Sequence, residues 1–99
     1  MRLVIIVGYG DNAVSKDGVF RSGLDLSECG LPDGFWAFQW NQEGNDTGEV
    51  EYKSSQKQNE RVLEIPSWAN ACITVWQAKL DQEAVEAAAA AAAAALIQN

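Results

Sequence analysis

Apolar residues run through the first two thirds of the chain as short clusters separated by Gly, Asp, Asn and Ser, then through one long stretch without a helix breaker. Leu3 to Val7 is rich in β-branched residues and is bounded by Gly8 and Gly10, which predicts a strand. Residues 8 to 18 carry loop chemistry and close on Asp17-Gly18, a strong tight-turn pair. Val19-Phe20-Arg21 predicts a second short strand. Gly, Pro and Asp punctuate 22 to 34, so little regular structure is expected there beyond an extended Leu24-Asp25-Leu26.

FWAFQW, Phe35 to Trp40, is the third strand, and it holds four of the chain's nine aromatic residues. Period-two alternation puts Trp36, Phe38 and Trp40 on one face and Phe35, Ala37 and Gln39 on the other. The polar loop Asn41 to Gly48 returns the chain into Glu49-Val50-Glu51-Tyr52-Lys53, the fourth strand. There Val50 and Tyr52 face one way and the charges the other, which makes a hairpin with a buried aromatic face and a partly wet one. Arg61 to Ile65 fits an edge strand or an extended lead-in.

Pro66-Ser67 opens the one long element, with Ser67 as the expected N-cap. Trp68, Cys72, Val75 and Trp76 form a stripe at helical spacing that continues to Leu80. Beyond it come Asp81 to Glu86, nine consecutive alanines from Ala87 to Ala95, and Leu96-Ile97. A helix of about 30 residues is about 45 Å long, whereas a globule of ~100 residues has a radius of gyration of about 13 Å. The first turns can cover the sheet; the remainder must project beyond it.

These elements predict an α+β fold, with a small antiparallel sheet of about four strands packed on one long C-terminal helix. Residues 1–80 form the body, including the proximal helix, and 81–99 form an Ala-rich helical extension. Trp36, Phe38, Trp40, Val50, Tyr52, Trp68, Cys72 and Trp76 are the expected core. Alanine has the highest helix propensity, so the run is helical without tertiary help. Its methyls give little burial but permit close approach of another element. Ala87, Ala91, Ala95, Leu96 and Ile97 are therefore candidate partner contacts, and Phe35, on the far face of its strand, is another. The alternative is a solvated low-complexity spacer. Strict heptads are absent, which disfavours an ordinary coiled coil.

The net charge of −7, with fourteen acidic and seven basic residues, argues against nucleic-acid binding, which needs clustered Lys and Arg. No run is long enough for a membrane span. Arg2 to Val7 is too short an apolar run for a signal peptide and ends in Gly8. Cys29 and Cys72 match no metal or redox spacing. A reduced, buried Cys72 is the common case, with a disulfide the lesser alternative.

Histidine is absent, which removes Ser-His-Asp and Cys-His catalysis and imidazole metal sites together. Gly8-Tyr9-Gly10-Asp11-Asn12-Ala13 fits a dinucleotide fingerprint, but Asp17-Gly18 and a further strand follow where a helix is required. Glu43, Asp46 and Glu49 lack the alternating ligands of a calcium loop, and Glu49 and Glu51 read as the wet side of a strand. No catalytic, cofactor or metal residue is expected, and the chain reads as a non-enzyme.

Phe38-Gln39-Trp40-Asn41, Gly48-Glu49-Val50-Glu51-Tyr52, Asn59-Glu60 and Ile65-Pro66-Ser67-Trp68 before an Ala-rich helix resemble a group of small bacteriophage proteins. Their pattern is ALQW…GEIEY…NE…LPxW, and they are encoded near tail-fibre and baseplate genes. Asp11 to Val14 and Gly23 to Ser27 are similar to their N-terminal halves, so the resemblance spans most of 1–80. It implies a structural or adaptor component of a phage tail, made in the host bacterial cytoplasm and located in the virion. Its partners would be other fibre or baseplate proteins, or a second copy through the C-terminal helix. Two alternatives are a tail-fibre assembly chaperone that leaves before maturation and a phage-encoded inhibitor of a host protein.

Overall fold

The computed structural model describes residues 1–8, 11–53 and 57–97 and, of Ile97, the backbone alone. Its elements run β1 (Leu3–Gly8), β2 (Asp11–Lys16), β3 (Val19–Arg21), β4 (Phe35–Trp40), β5 (Gly48–Tyr52), β6 (Glu60–Val62) and α1 (Ser67–Ile97). The strands form one sheet in the order β3-β2-β1-β4-β5-β6, each pair antiparallel. The architecture is the expected α+β one, with six strands in place of about four.

Of the two additional strands, β6 falls at the start of the edge strand that Arg61 to Ile65 offered, and β2 lies where local propensity is weakest. DNAVSK, β2, has only Ala13 and Val14 to bury and reads as loop, yet it pairs along its whole length with β1, from Leu3 opposite Lys16 to Gly8 opposite Asp11. Paired neighbours on both sides, β1 and β3, satisfy its backbone and override its composition. The segment resembling a dinucleotide fingerprint thus joins two antiparallel strands, and no helix follows it. The Asp17-Gly18 turn is as expected. Both residues have positive φ, 50° and 85°, the geometry that suits the twist of a two-residue hairpin between β2 and β3. Arg2 clasps it: its N–H donates to Asp17 Oδ1 at 2.8 Å, and its carbonyl accepts from the Asp17 N–H at 2.8 Å.

Leu3, Ile5, Val14, Phe38 and Val50 line one face of the sheet and form the core with Ala69, Cys72 and Trp76 of the helix. Leu24, Leu26 and Cys29, from the irregular segment between β3 and β4, complete the same cluster. Trp68 joins the two layers, its indole edge-on to Phe35 and to Phe38, with ring centroids 5.1 Å away in each case. The helix begins one residue earlier than a Ser67 cap implies. The N–H groups of Ala69 and Asn70 both donate to the Pro66 carbonyl, which makes Pro66 the flanking residue.

At 31 residues, α1 is far longer than the layer it covers. The molecule measures 63 × 29 × 19 Å, with a radius of gyration of 16.9 Å against about 13 Å for a compact chain of this size. The excess length is the distal helix.

Candidate partner-binding surfaces

The docked part of α1 ends at an identifiable place. Trp76 Nε1 donates to the Val19 carbonyl at 2.9 Å, and the Lys16 ammonium lies 5.4 Å from the Trp76 ring centroid. About two turns further on, Arg21 Nε donates to both carboxylate oxygens of Glu83, at 2.8 and 3.1 Å. That contact, led by the hydrogen bond, lowers the Glu83 carboxyl below the usual glutamate range. Beyond Glu83, every described side chain from Ala84 to Leu96 is exposed.

The distal helix therefore holds itself up. Gln77 donates to Asp81 at 3.0 Å and Gln82 to Glu86 at 3.1 Å, side-chain pairs four residues apart that support the helix surface. After Glu86 only alanine propensity remains, but nucleation has already been supplied by the docked turns. Ala87, Ala91 and Ala95 lie exposed along this extension, and Leu96 is 77% exposed. Ile97 is the last helical residue, and its side chain lies outside the described residues.

Phe35 does not join this set. It is only 3% exposed, on the helix side of the sheet against Trp68. The β4–β5 register shifts between Phe35 and Ala37, where Phe35 faces Tyr52 and Ala37 faces Glu51. A β-bulge inserts one residue, so alternation restarts and Phe35 shares a face with Phe38. The same bulge moves Trp36 out of the expected core to the opposite face. There its ring lies over Gly8, where an added Cβ would come within 2.7 Å of the indole. The Lys53 ammonium sits 5.8 Å from the same ring. The other expected core residues keep their places: Phe38, Trp40, Val50, Cys72 and Trp76 are buried, and Tyr52 and Trp68 pack half-buried against them.

The face away from the helix is a surface that the alternation argument missed. Ile6 stands between Ala13 on β2 and Ala37 on β4; both alanines are buried, yet Ile6 is 41% exposed. Phe20, opposite Ser15 at the sheet edge, is 57% exposed. Ile6 and Phe20 thus lie toward the β3 end of this face, and Gln39, Glu49 and Arg61, on β4, β5 and β6, lie toward the other end. The signal was present in LVIIV, an unbroken apolar run of the kind found where both faces of a strand contact other groups.

Gln39, Gln42, Glu43, Thr47, Glu49 and Arg61 also line a shallow polar depression of about 350 Å³ beside the β4–β5 hairpin. Glu49 already accepts from Asn59 Nδ2 there, at 3.1 Å. The hairpin tip is pinned down: Asn41 Nδ2 donates to the Met1 carbonyl at 3.0 Å, and Arg2 donates to the Gln42 carbonyl at 2.7 Å. Among the described residues no three His, Cys, Asp or Glu side chains converge to hold a metal ion, and no helix is long and apolar enough to cross a membrane. Comparison of the chain with protein-family models, curated proteins and solved structures finds no match.

Proposed function

We propose that this chain is a non-enzymatic structural adaptor of a bacteriophage tail, whose helix beyond Glu83 docks onto neighbouring fibre or baseplate proteins. The observation that carries the docking reading is the continuous exposure from Ala84 to Leu96 on a helix fixed at its other end. A rigid rod anchored at one end presents its contacts at low entropic cost, because the docked turns have already ordered it. Methyl-only side chains allow a second helix to approach closely, and Leu96 offers a large apolar contact at the tip. The open sheet face around Ile6 and Phe20 gives an adaptor a second surface, on the side of the sheet away from the helix. The assignment to a phage tail rests on the aromatic and acidic pattern of residues 38–68 and on its resemblance to tail-region proteins.

The test compares the full chain with a version ending at Glu86, which keeps the Arg21–Glu83 contact. Each is co-expressed with phage tail-fibre and baseplate proteins, the proposed partners, and complexes are purified. The expected result is unchanged melting of the shortened chain with loss of co-purification. Retained co-purification refutes helix docking. Mass spectrometry of purified virions tests the location: abundant peptides of this chain are expected, and their absence overturns the virion reading in favour of an assembly chaperone.

A further inference from the structure

The two cysteines, 43 positions apart in sequence, meet in the core. Cys29 lies on the irregular segment between β3 and β4, and Cys72 lies in the second turn of α1; both are free thiols and both are buried. Both side chains belong to one buried hydrophobic cluster, where Cys29 adjoins Cys72 closely enough to perturb its thiol. The Cys29 segment is held by few contacts. Leu24 N–H donates to the Asn12 carbonyl at 3.1 Å, and Asn12 Nδ2 donates to the Leu24 carbonyl at 3.2 Å. Cys29 N–H donates to the Leu26 carbonyl at 3.1 Å, and Ser27 donates from its N–H and its hydroxyl to Asp25 Oδ1. Three glycines at positive φ, Gly23, Gly30 and Gly34, bend the segment back over the core. It contributes Leu24, Leu26 and Cys29 to the hydrophobic cluster without any strand or helix of its own.

We propose that Cys29 and Cys72 are a reversible disulfide pair, closed by a low-molecular-weight disulfide oxidant, that staples the β3–β4 segment to the helix. In the first step the Cys29 thiolate attacks one sulfur of glutathione disulfide. A mixed disulfide forms, and one glutathione leaves as its thiolate. Cys72, after losing its proton, attacks the Cys29 sulfur and expels the second glutathione. Two electrons pass to the glutathione disulfide, which ends as two glutathione thiols, and the protein gains one S–S bond.

Burial pushes the Cys72 thiol up to about 12, and the adjoining Cys29 adds to the shift, so the Cys72 thiolate that makes the second attack is scarce while the core is closed. Oxidation therefore proceeds through local opening of the β3–β4 segment, over minutes to hours rather than seconds. The pair stays reduced through brief oxidant exposure and closes on prolonged exposure. The inference is independent of the adaptor reading, because it concerns the body and not the distal helix.

The experiment incubates the full-length protein with excess glutathione disulfide and, in parallel, with dithiothreitol. Peptide mapping under non-reducing conditions, intact mass and the melting midpoint are then read. The expected products are a monomer lighter by two hydrogens, a Cys29–Cys72 peptide pair, and a midpoint raised by at least about 10 °C, as fits a closed loop of about 43 residues. Dithiothreitol restores the starting midpoint. Cys29→Ser and Cys72→Ser, measured beside it, show no oxidant-dependent rise. Persistently free thiols, stable glutathione adducts, disulfide-linked dimers, or a bridged monomer whose midpoint does not rise each overturn the proposal. A rise that persists in Cys29→Ser overturns it as well.

Discussion

Phe38 and Trp36 are two residues apart on one strand, and simple alternation treats them as equals. Their surroundings give them different energetic roles. Phe38 is fully buried, with centroids 6.5 Å from Trp40 and 5.1 Å from Trp68. Phe38→Ala loses the transfer free energy of the ring, opens a cavity that the sheet and helix cannot close, and removes two ring contacts; about 3–5 kcal/mol is expected. Trp36 is half-buried on the other face, over Gly8. Part of its surface is already in water, and neighbouring side chains and solvent fill the space it leaves. Trp36→Ala therefore costs about 1–2.5 kcal/mol. A body of about 80 residues has a stability of about 4–12 kcal/mol in all, so the first change approaches the limit of folding and the second does not. Urea unfolding followed by circular dichroism measures both. With a slope of about 1–1.5 kcal/mol/M, the midpoint falls by about 2–5 M for Phe38→Ala and about 1–2 M for Trp36→Ala. Equal costs, or a larger cost at Trp36, would refute the bulge that separates the two faces.

Gly48 lies against Trp40 and Phe38, and a Cβ there would come within 2.8 Å of the Trp40 ring and 3.0 Å of the Gln39 carbonyl. Gly48→Ala is expected to destabilise by about 1–3 kcal/mol by overpacking, measured by the same unfolding; a neutral or stabilising outcome contradicts the packing. Tyr52 donates to Glu60 at 2.7 Å, and burial, with help from that bond and charge, pushes its phenol up to about 12. The unfolded phenol loses its proton first, so this contribution is complete below about pH 10 and is lost as pH rises to about 12. In an ultraviolet titration Glu60→Gln moves the Tyr52 midpoint down, and no movement sinks the assignment. The Glu83 carboxyl, held below its usual range by Arg21, contributes stability that is present above that range and is lost as pH falls through its folded pKa. Its NMR titration midpoint should rise in Arg21→Gln; an unchanged midpoint would mean that the helix leaves the body before Glu83.

Much of this molecule is legible from residue order because the relevant physics is local. β-Branched content marks β1, period-two alternation marks β5, and Asp17-Gly18 marks its turn because few other residues accept two successive positive φ values. The unbroken stretch from Trp68 onward fixes a helix, and helix rise against globule size fixes that it must overhang. The exposed alanine extension follows from arithmetic alone, without any contact. Three features needed the assembled sheet. β2 is a strand because β1 and β3 pair with its backbone, although its own side chains favour a loop. Phe35 is buried and Trp36 is turned outward because one extra residue in β4 restarts the alternation, and Trp68 then fills the space beside Phe35. Cys29 meets Cys72 because an irregular segment folds back over the core. In each case a pairing or packing partner outside the segment sets the conformation, and the segment's own residues carry no information about a partner that folding alone brings alongside.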